Sequence, residues 1–138
     1  MTQRITAAEY KARLAKAPGK AKRVKSHPVE QDLVRETLQA ITLQLGVVAW
    51  RNSSGTMPAE YKGKVRYIHM SPAGSPDIFG ILRGGKMFGL EGKAKTGKQT
   101  AKQKAWERMM LKLGANYAVF RSVGEAVDAV REWKRWQP

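Results

Sequence analysis

The stretch Asp77-Ile78-Phe79-Gly80-Ile81-Leu82-Arg83-Gly84-Gly85-Lys86-Met87-Phe88-Gly89-Leu90-Glu91-Gly92-Lys93 decides how this chain is read. Two apolar runs, Ile78–Leu82 and Met87–Leu90, stand either side of Arg83-Gly84-Gly85-Lys86. Runs of that kind around a glycine-containing turn predict an antiparallel hairpin. Asp77 precedes the first run, and Glu91 and Lys93 close the second, so charged groups gather at the open end. Acids are uncommon in strands with a buried face unless they are paired or bound to a cation. Loop length decides whether they meet. A two-residue Gly84-Gly85 turn would set Asp77 opposite Gly92 and send Glu91 and Lys93 to the other face. A three-residue loop, Arg83-Gly84-Gly85, pairs Leu82 with Lys86 and Asp77 with Glu91, and all three groups share a face. We expect the three-residue loop, with Gly85 as its left-handed residue. Facing carboxylates repel unless a cation lies between them. Oxygen donors, no cysteine and only two histidines in the chain point to Mg2+ or Mn2+ rather than zinc.

Upstream of the hairpin, Leu33, Val34, Leu38, Ile41 and Leu45 recur at helical spacing. Pro28 suits the first turn of such a helix, and Gly46 ends it. Val47-Val48-Ala49-Trp50 predicts a short strand. Residues 53–63 predict a polar loop, Lys64–Met70 an exposed strand or ordered loop, and Ser71–Pro76 a turn region. Downstream, Thr100 and Gln103 have capping-box spacing, and Ala105, Trp106, Met109, Met110 and Leu113 predict the buried stripe of a second helix ending at Gly114. Tyr117–Phe120 predicts a strand. Ser122 and Glu125 repeat the capping box before a last helix with Ala126, Val127, Val130 and Trp133 inward. The order αβββαβα packs most economically as a mixed sheet flanked by helices, an α/β fold.

Charge narrows the class of partner. The 138 residues hold 26 Lys and Arg against 11 Asp and Glu, a net charge of +15. A field of that sign attracts polyanions, nucleic acid foremost; a solvated basic surface or a membrane surface is the plainer reading. Eight bases and one acid, Glu9, fall within residues 1–26, so removing that segment would halve the net charge. Rich in Lys and Ala, it is expected to be a basic arm, flexible or partly helical, ahead of a domain over residues 27–138. No apolar run approaches the roughly 20 residues of a membrane span, and the basic N-terminus lacks the apolar core of a secretory signal. Absence of cysteine fits a reducing compartment such as the cytoplasm.

Further residues stand out by position. Glu30 continues the apolar face of the first helix and should turn inward near the sheet's end, although an acid in a first turn also suits the helix dipole. Gln103 is either a capping residue or a participant in the site. Arg51 and Asn52 end the first strand at the same edge, where they would orient a phosphate or simply cap the strand. Lys62, Lys64, Arg66, Lys95, Lys98, Lys102 and Lys104 are candidate phosphate contacts.

The combination Pro76-Asp77 with Glu91-Gly92-Lys93 resembles the PD-(D/E)XK nuclease superfamily, whose core is helix, three strands, helix, strand. Within it the chain is similar to the VRR-NUC family, particularly small stand-alone members of phages and bacteria. Matching segments are Glu30-Gln31-Asp32, Trp50-Arg51-Asn52, Gly74-Ser75-Pro76-Asp77, Glu91-Gly92-Lys93, Gln103-Lys104 and Tyr117-Ala118-Val119-Phe120-Arg121-Ser122, spanning about residues 27–132. The resemblance implies a restriction-endonuclease-like fold and a Mg2+- or Mn2+-dependent DNA endonuclease. It implies Asp77, Glu91 and the Gly92 carbonyl as metal ligands, with Glu30 beside the metal directly or through water. Lys93 would position the attacking water, and Gln103 would lie near that water or the phosphate. Products with 5′-phosphate and 3′-hydroxyl ends, branched or structured DNA as substrate, a homodimer, and a bacterial or phage-infected cytoplasm follow from the same resemblance. The alternative is a non-catalytic nucleic-acid-binding module on the same fold, which would tolerate loss of Asp77, Glu91 and Lys93. A basic structural protein of a nucleoprotein assembly would carry that trio only by coincidence.

Overall fold

A computed structural model of the chain describes residues 28–53 and 55–136; the expected basic arm lies outside them. Helix α1 runs over Pro28–Leu45 and stops where Gly46 turns left-handed at φ 62°. Strand β1, Val48–Arg51, follows at once. The chain then differs from expectation. Instead of a loop over residues 53–63, Thr56–Tyr61 (β2) pairs antiparallel with Lys64–His69 (β3) as a separate two-stranded ribbon. Lys62 and Gly63, with φ of 50° and 71°, make its two-residue turn. That left-handed pair matches the twist of the flanking strands, a signal hidden by the polarity of the segment.

The main sheet contains β1, β4 (Ile78–Ile81), β5 (Met87–Gly92) and β6 (Asn116–Phe120), in the order β1-β4-β5-β6. Its first three strands are antiparallel, and β6 lies parallel to β5. The crossover between these two carries helix α2, Ala101–Lys112, and helix α3, Val123–Arg135, follows β6. With the ribbon set aside, the order is the expected αβββαβα.

α1 and α3 pack together on one face of the sheet. Between helices and sheet lies the core: Val34, Ile41, Val47, Ile78, Leu82, Phe88, Leu90, Phe120, Ala126, Val127 and Val130. Trp133 is half-buried with its ring 5.6 Å from Phe88. Gly80 is needed here, because a Cβ on it would stand 2.1 Å from the Phe88 ring opposite.

α2 covers the other face incompletely. Only Met110 of its expected stripe is buried; Trp106 is half-buried, while Ala105, Met109 and Leu113 are exposed. The helix packs along β6 and reaches β4 through the Trp106 ring, 6.4 Å from that of Phe79, while Val48, Trp50 and Ile81 on β1 and β4 are also exposed. Its ends behave as expected: Thr100 and Gln103 form a reciprocal capping box, and Gly114 closes a Schellman motif with its N–H on the Leu111 carbonyl and that of Ala115 on Met110. At α3 only half of the second box forms. Ser122 accepts from the Glu125 N–H, but the Glu125 carboxylate takes the N–H of Arg121 instead of that of Ser122.

Candidate active site

The β4–β5 hairpin has the register on which the site depends. Ile81 pairs with Met87 and Ile78 with Leu90, so Leu82 meets Lys86 across Arg83-Gly84-Gly85 and Asp77 comes opposite Glu91. Leu82 donates its N–H to the Lys86 carbonyl at 2.8 Å, which closes the loop. Gly84 and Gly85 are both left-handed, at φ 81° and 77°, in place of the single left-handed residue expected. A side chain at either would be strained.

Asp77 is carried by a knot of polar contacts. Its backbone carbonyl accepts from the Asn52 N–H at 2.7 Å. The Asn52 amide donates to Ser75 Oγ and to the Pro76 carbonyl, both at 2.8 Å, and its Oδ1 accepts from Ser71 Oγ at 2.6 Å. Expected to orient a phosphate or to cap the strand, Asn52 commits its amide to clamping the loop before Asp77. Trp106 adds to the clamp by donating Nε1 to the Ala73 carbonyl at 3.2 Å. Sequence reasoning assigns no role to Ser71 or Ser75, because serines in a turn region look like ordinary turn formers.

Around the pair, each neighbour has a visible task. Asp77 Oδ2 accepts the Gly92 N–H at 2.8 Å. Glu91 Oε1 accepts from Gln103 Nε2 at 2.6 Å and lies 3.6 Å from Lys93 Nζ. Gln103 makes the expected cap and one contact more: its Oε1 caps the Thr100 N–H at 2.8 Å while its Nε2 holds Glu91. Glu30 does turn toward this end of the sheet, but its Oε1 accepts the Ala94 N–H at 3.0 Å, tying α1 to the segment after Lys93. Arg121 secures that segment from the other side, donating to the Ala94 carbonyl at 2.6 Å. Among the other expected contacts, Arg51 is near enough to Asp77 to favour its charged form. Lys62, Lys64 and Arg66 sit on the ribbon, Lys95 and Lys98 in the segment before α2, and Lys102 and Lys104 in its first turns. The fold thus spreads these cations over three elements.

Burial makes the pair electrostatically costly. Glu91 is only 2% exposed and Lys93 8%. Glu91 is pushed up to about 8, first by burial and next by the Asp77 charge, with Lys93 opposing. Asp77 is also raised, mainly by burial, against the lowering effects of the Gly92 N–H and Lys93. Tyr117, behind the site on β6, is pushed up by burial and by Glu91. Glu91 Oε2 is buried with no hydrogen-bond partner. An orphan carboxylate oxygen beside a second carboxylate is the donor set that a hard divalent cation satisfies. Among the described residues no three His, Asp or Glu side chains converge as a ready-made cage. The side-chain donors are thus the Asp77–Glu91 pair, and Glu30 stands one step away.

A solved structure entitled "VRR_NUC domain" superposes on this chain with a TM-score of 0.52, over 78% of this chain and 99% of that one. The fold is that of a VRR_NUC domain. Identity between the two is 20%, so the likeness concerns architecture. No protein-family model matches the chain, and no curated protein matches it significantly. In this chain the strand ends of β4 and β5 lie beside the N-terminus of α2, which is where Asp77, Glu91, Lys93 and Gln103 meet.

Proposed function

We propose that this chain is a metal-dependent DNA endonuclease that hydrolyses phosphodiester bonds at the Asp77–Glu91–Lys93 site. The observation that carries the reading is the hairpin register, which sets the half-buried Asp77 opposite the buried Glu91, whose Oε2 has no partner. Asp77 and Glu91, with the Gly92 carbonyl, would hold Mg2+ or Mn2+, and the bound ion would supply Lewis-acid charge at the scissile phosphate. Lys93 brings an ammonium to the site, where it orients the attacking water and offsets charge that develops on the phosphorus oxygens. Gln103 keeps Glu91 in place, and Glu30 keeps the segment after Lys93 close to α1. Arg51 and the lysines at the start of α2 serve as phosphate contacts. In-line attack with departure of the 3′ oxygen leaves 5′-phosphate and 3′-hydroxyl ends.

The net charge of +15 supports DNA as the partner. Branched or structured DNA is the proposed substrate. A homodimer is proposed as well, supported by the uncovered sheet face with Val48, Trp50 and Ile81 beside Met109 and Leu113. The test is cleavage of linear duplex, flap and four-way-junction DNA with Mg2+, Mn2+ or EDTA, by the native chain and by Asp77→Ala and Lys93→Ala. We expect metal-dependent cleavage that both substitutions abolish. Cleavage in EDTA, or in both variants, overturns the mechanism; binding without cleavage under every metal favours a non-catalytic module.

A further inference from the structure

The β2–β3 ribbon has no part in the site as described, yet it springs from it. Its two strands leave and re-enter the body between Arg51 and Ser71, and the Ser71–Asn52 hydrogen bond that closes its root belongs to the knot carrying Asp77. Every position from 64 to 68 is exposed, and so are four of the six in β2. Six paired positions at roughly 3.3 Å each let the ribbon reach roughly 20 Å from that root.

Register sorts its side chains by face. Tyr61 pairs with Lys64, Ala59 with Arg66 and Met57 with Ile68, so these six share one face. It is apolar, aromatic and cationic, with no acid. The lone acid of the ribbon strands, Glu60, pairs with Val65 on the opposite face. Tyr61 is 60% exposed, and Lys62 at the tip holds its ammonium 5.3 Å from the centre of that ring. A two-stranded ribbon with apolar groups on both faces gains little by standing in water, so its composition calls for a partner. Positive charge interleaved with an exposed ring and aliphatic groups complements a polyanion that also presents flat apolar surfaces, namely nucleic acid with unpaired bases.

We propose that this ribbon is a nucleic-acid arm that holds an unpaired stretch of the substrate beside the scissile phosphate. Lys64 and Arg66 contact its phosphates, and Tyr61 stacks on a base. The proposal rests on the nuclease reading for the identity of the polymer, but its test does not depend on cleavage.

Binding is read by fluorescence anisotropy in EDTA, across a salt series, with a duplex carrying a single-stranded gap and with the fully paired duplex. The proteins are the full chain and its Lys64→Ala/Arg66→Ala, Tyr61→Ala and Tyr61→Phe variants. Arg108→Ala/Lys112→Ala, on the outer side of α2, controls for loss of charge alone. Circular dichroism checks that each variant is folded. Removal of both ribbon cations should lower the slope of log K against log salt by about one for each phosphate no longer neutralised, and weaken gap binding by about tenfold or more near 0.1 M salt. The control pair should do less. Tyr61→Ala should weaken gap binding by about tenfold and spare the paired duplex, with Tyr61→Phe restoring the affinity, because the ring does the stacking. An unchanged slope in the ribbon double variant, or an equal loss in the control pair, overturns the arm. Dimer loss by light scattering with DNA binding intact also overturns it, in favour of a second copy of this chain as the occupant. Loss of Tyr61 without consequence, or Phe failing to rescue, overturns the stacking contact. If the native chain never cleaves yet these binding results hold, the nuclease reading fails and the arm stands.

Discussion

Glu91→Gln should abolish cleavage yet stabilise the metal-free protein at alkaline pH. In the native chain the Glu91 carboxyl titrates at about 8, against an ordinary value of 4.5 in the unfolded chain. Between those values the folded state holds a proton that the unfolded state has released, so stability is fully present below 4.5 and declines as pH rises toward 8. One proton corresponds to roughly 1.4 kcal/mol per pH unit, which over this window sets a ceiling of about 5 kcal/mol. Asp77, raised in the same direction, steepens the fall. A glutamine at 91 carries no charge to bury, keeps an oxygen for the Gln103 amide, and offers an N–H toward Asp77. Urea unfolding in EDTA, followed by tryptophan fluorescence at several pH values between about 5 and about 9, reads the difference. The native chain should lose stability across the series, and the variant should lose far less, ending as the more stable of the two. Millimolar Mg2+ or Mn2+ should flatten the native curve, since a cation bound to the charged pair stabilises only the folded form. A native curve that is flat or rising in EDTA, or a variant that keeps the native slope, refutes the buried-charge argument.

Two further outcomes follow from particular contacts and a third from the charge of the N-terminal segment. Thr100→Ala removes only the helix cap and should cost about 1 kcal/mol of stability with modest loss of cleavage, whereas Gln103→Ala also releases Glu91 and should lower cleavage by about tenfold or more; equal cleavage in the two would remove Gln103 from the site. Gly80→Ala should destabilise by about 3 kcal/mol in urea unfolding, because its Cβ would overlap the Phe88 ring; a loss under about 1 kcal/mol would mean the core yields easily. Deleting residues 1–26, with their eight bases, should weaken DNA binding and flatten its salt dependence; an unchanged slope would leave the segment as a solubility tail.

Much of the fold was legible because its signals are short-range. The helical spacing from Leu33 to Leu45, Gly46 and Gly114 as stops, and the capping pair Thr100 and Gln103 all act within a few residues of themselves. The register of β4 and β5 could be reasoned from loop length, since one residue more or less in Arg83-Gly84-Gly85 changes which face every later side chain occupies. The ribbon was only half legible. Its turn depends on a left-handed Lys62, and no pattern of hydrophobicity marks a ribbon that buries neither face.

By itself, the sequence determined which groups could meet: Asp77 with Glu91 and Lys93, at the end of a hairpin in a strongly cationic chain. Tertiary structure alone decided what each group does there. Contacts of Asn52 with Ser71 and Ser75, of Glu30 with Ala94 and of Gln103 with Glu91 span from 12 to 64 residues of sequence, and they arise only when separate elements converge. The same holds for the exposed Met109 and Leu113, which carry a buried pattern over a sheet that α2 only half covers. Periodicity and turn chemistry are local and can be read along the chain; desolvation, coverage and an orphaned carboxylate oxygen depend on everything packed around them.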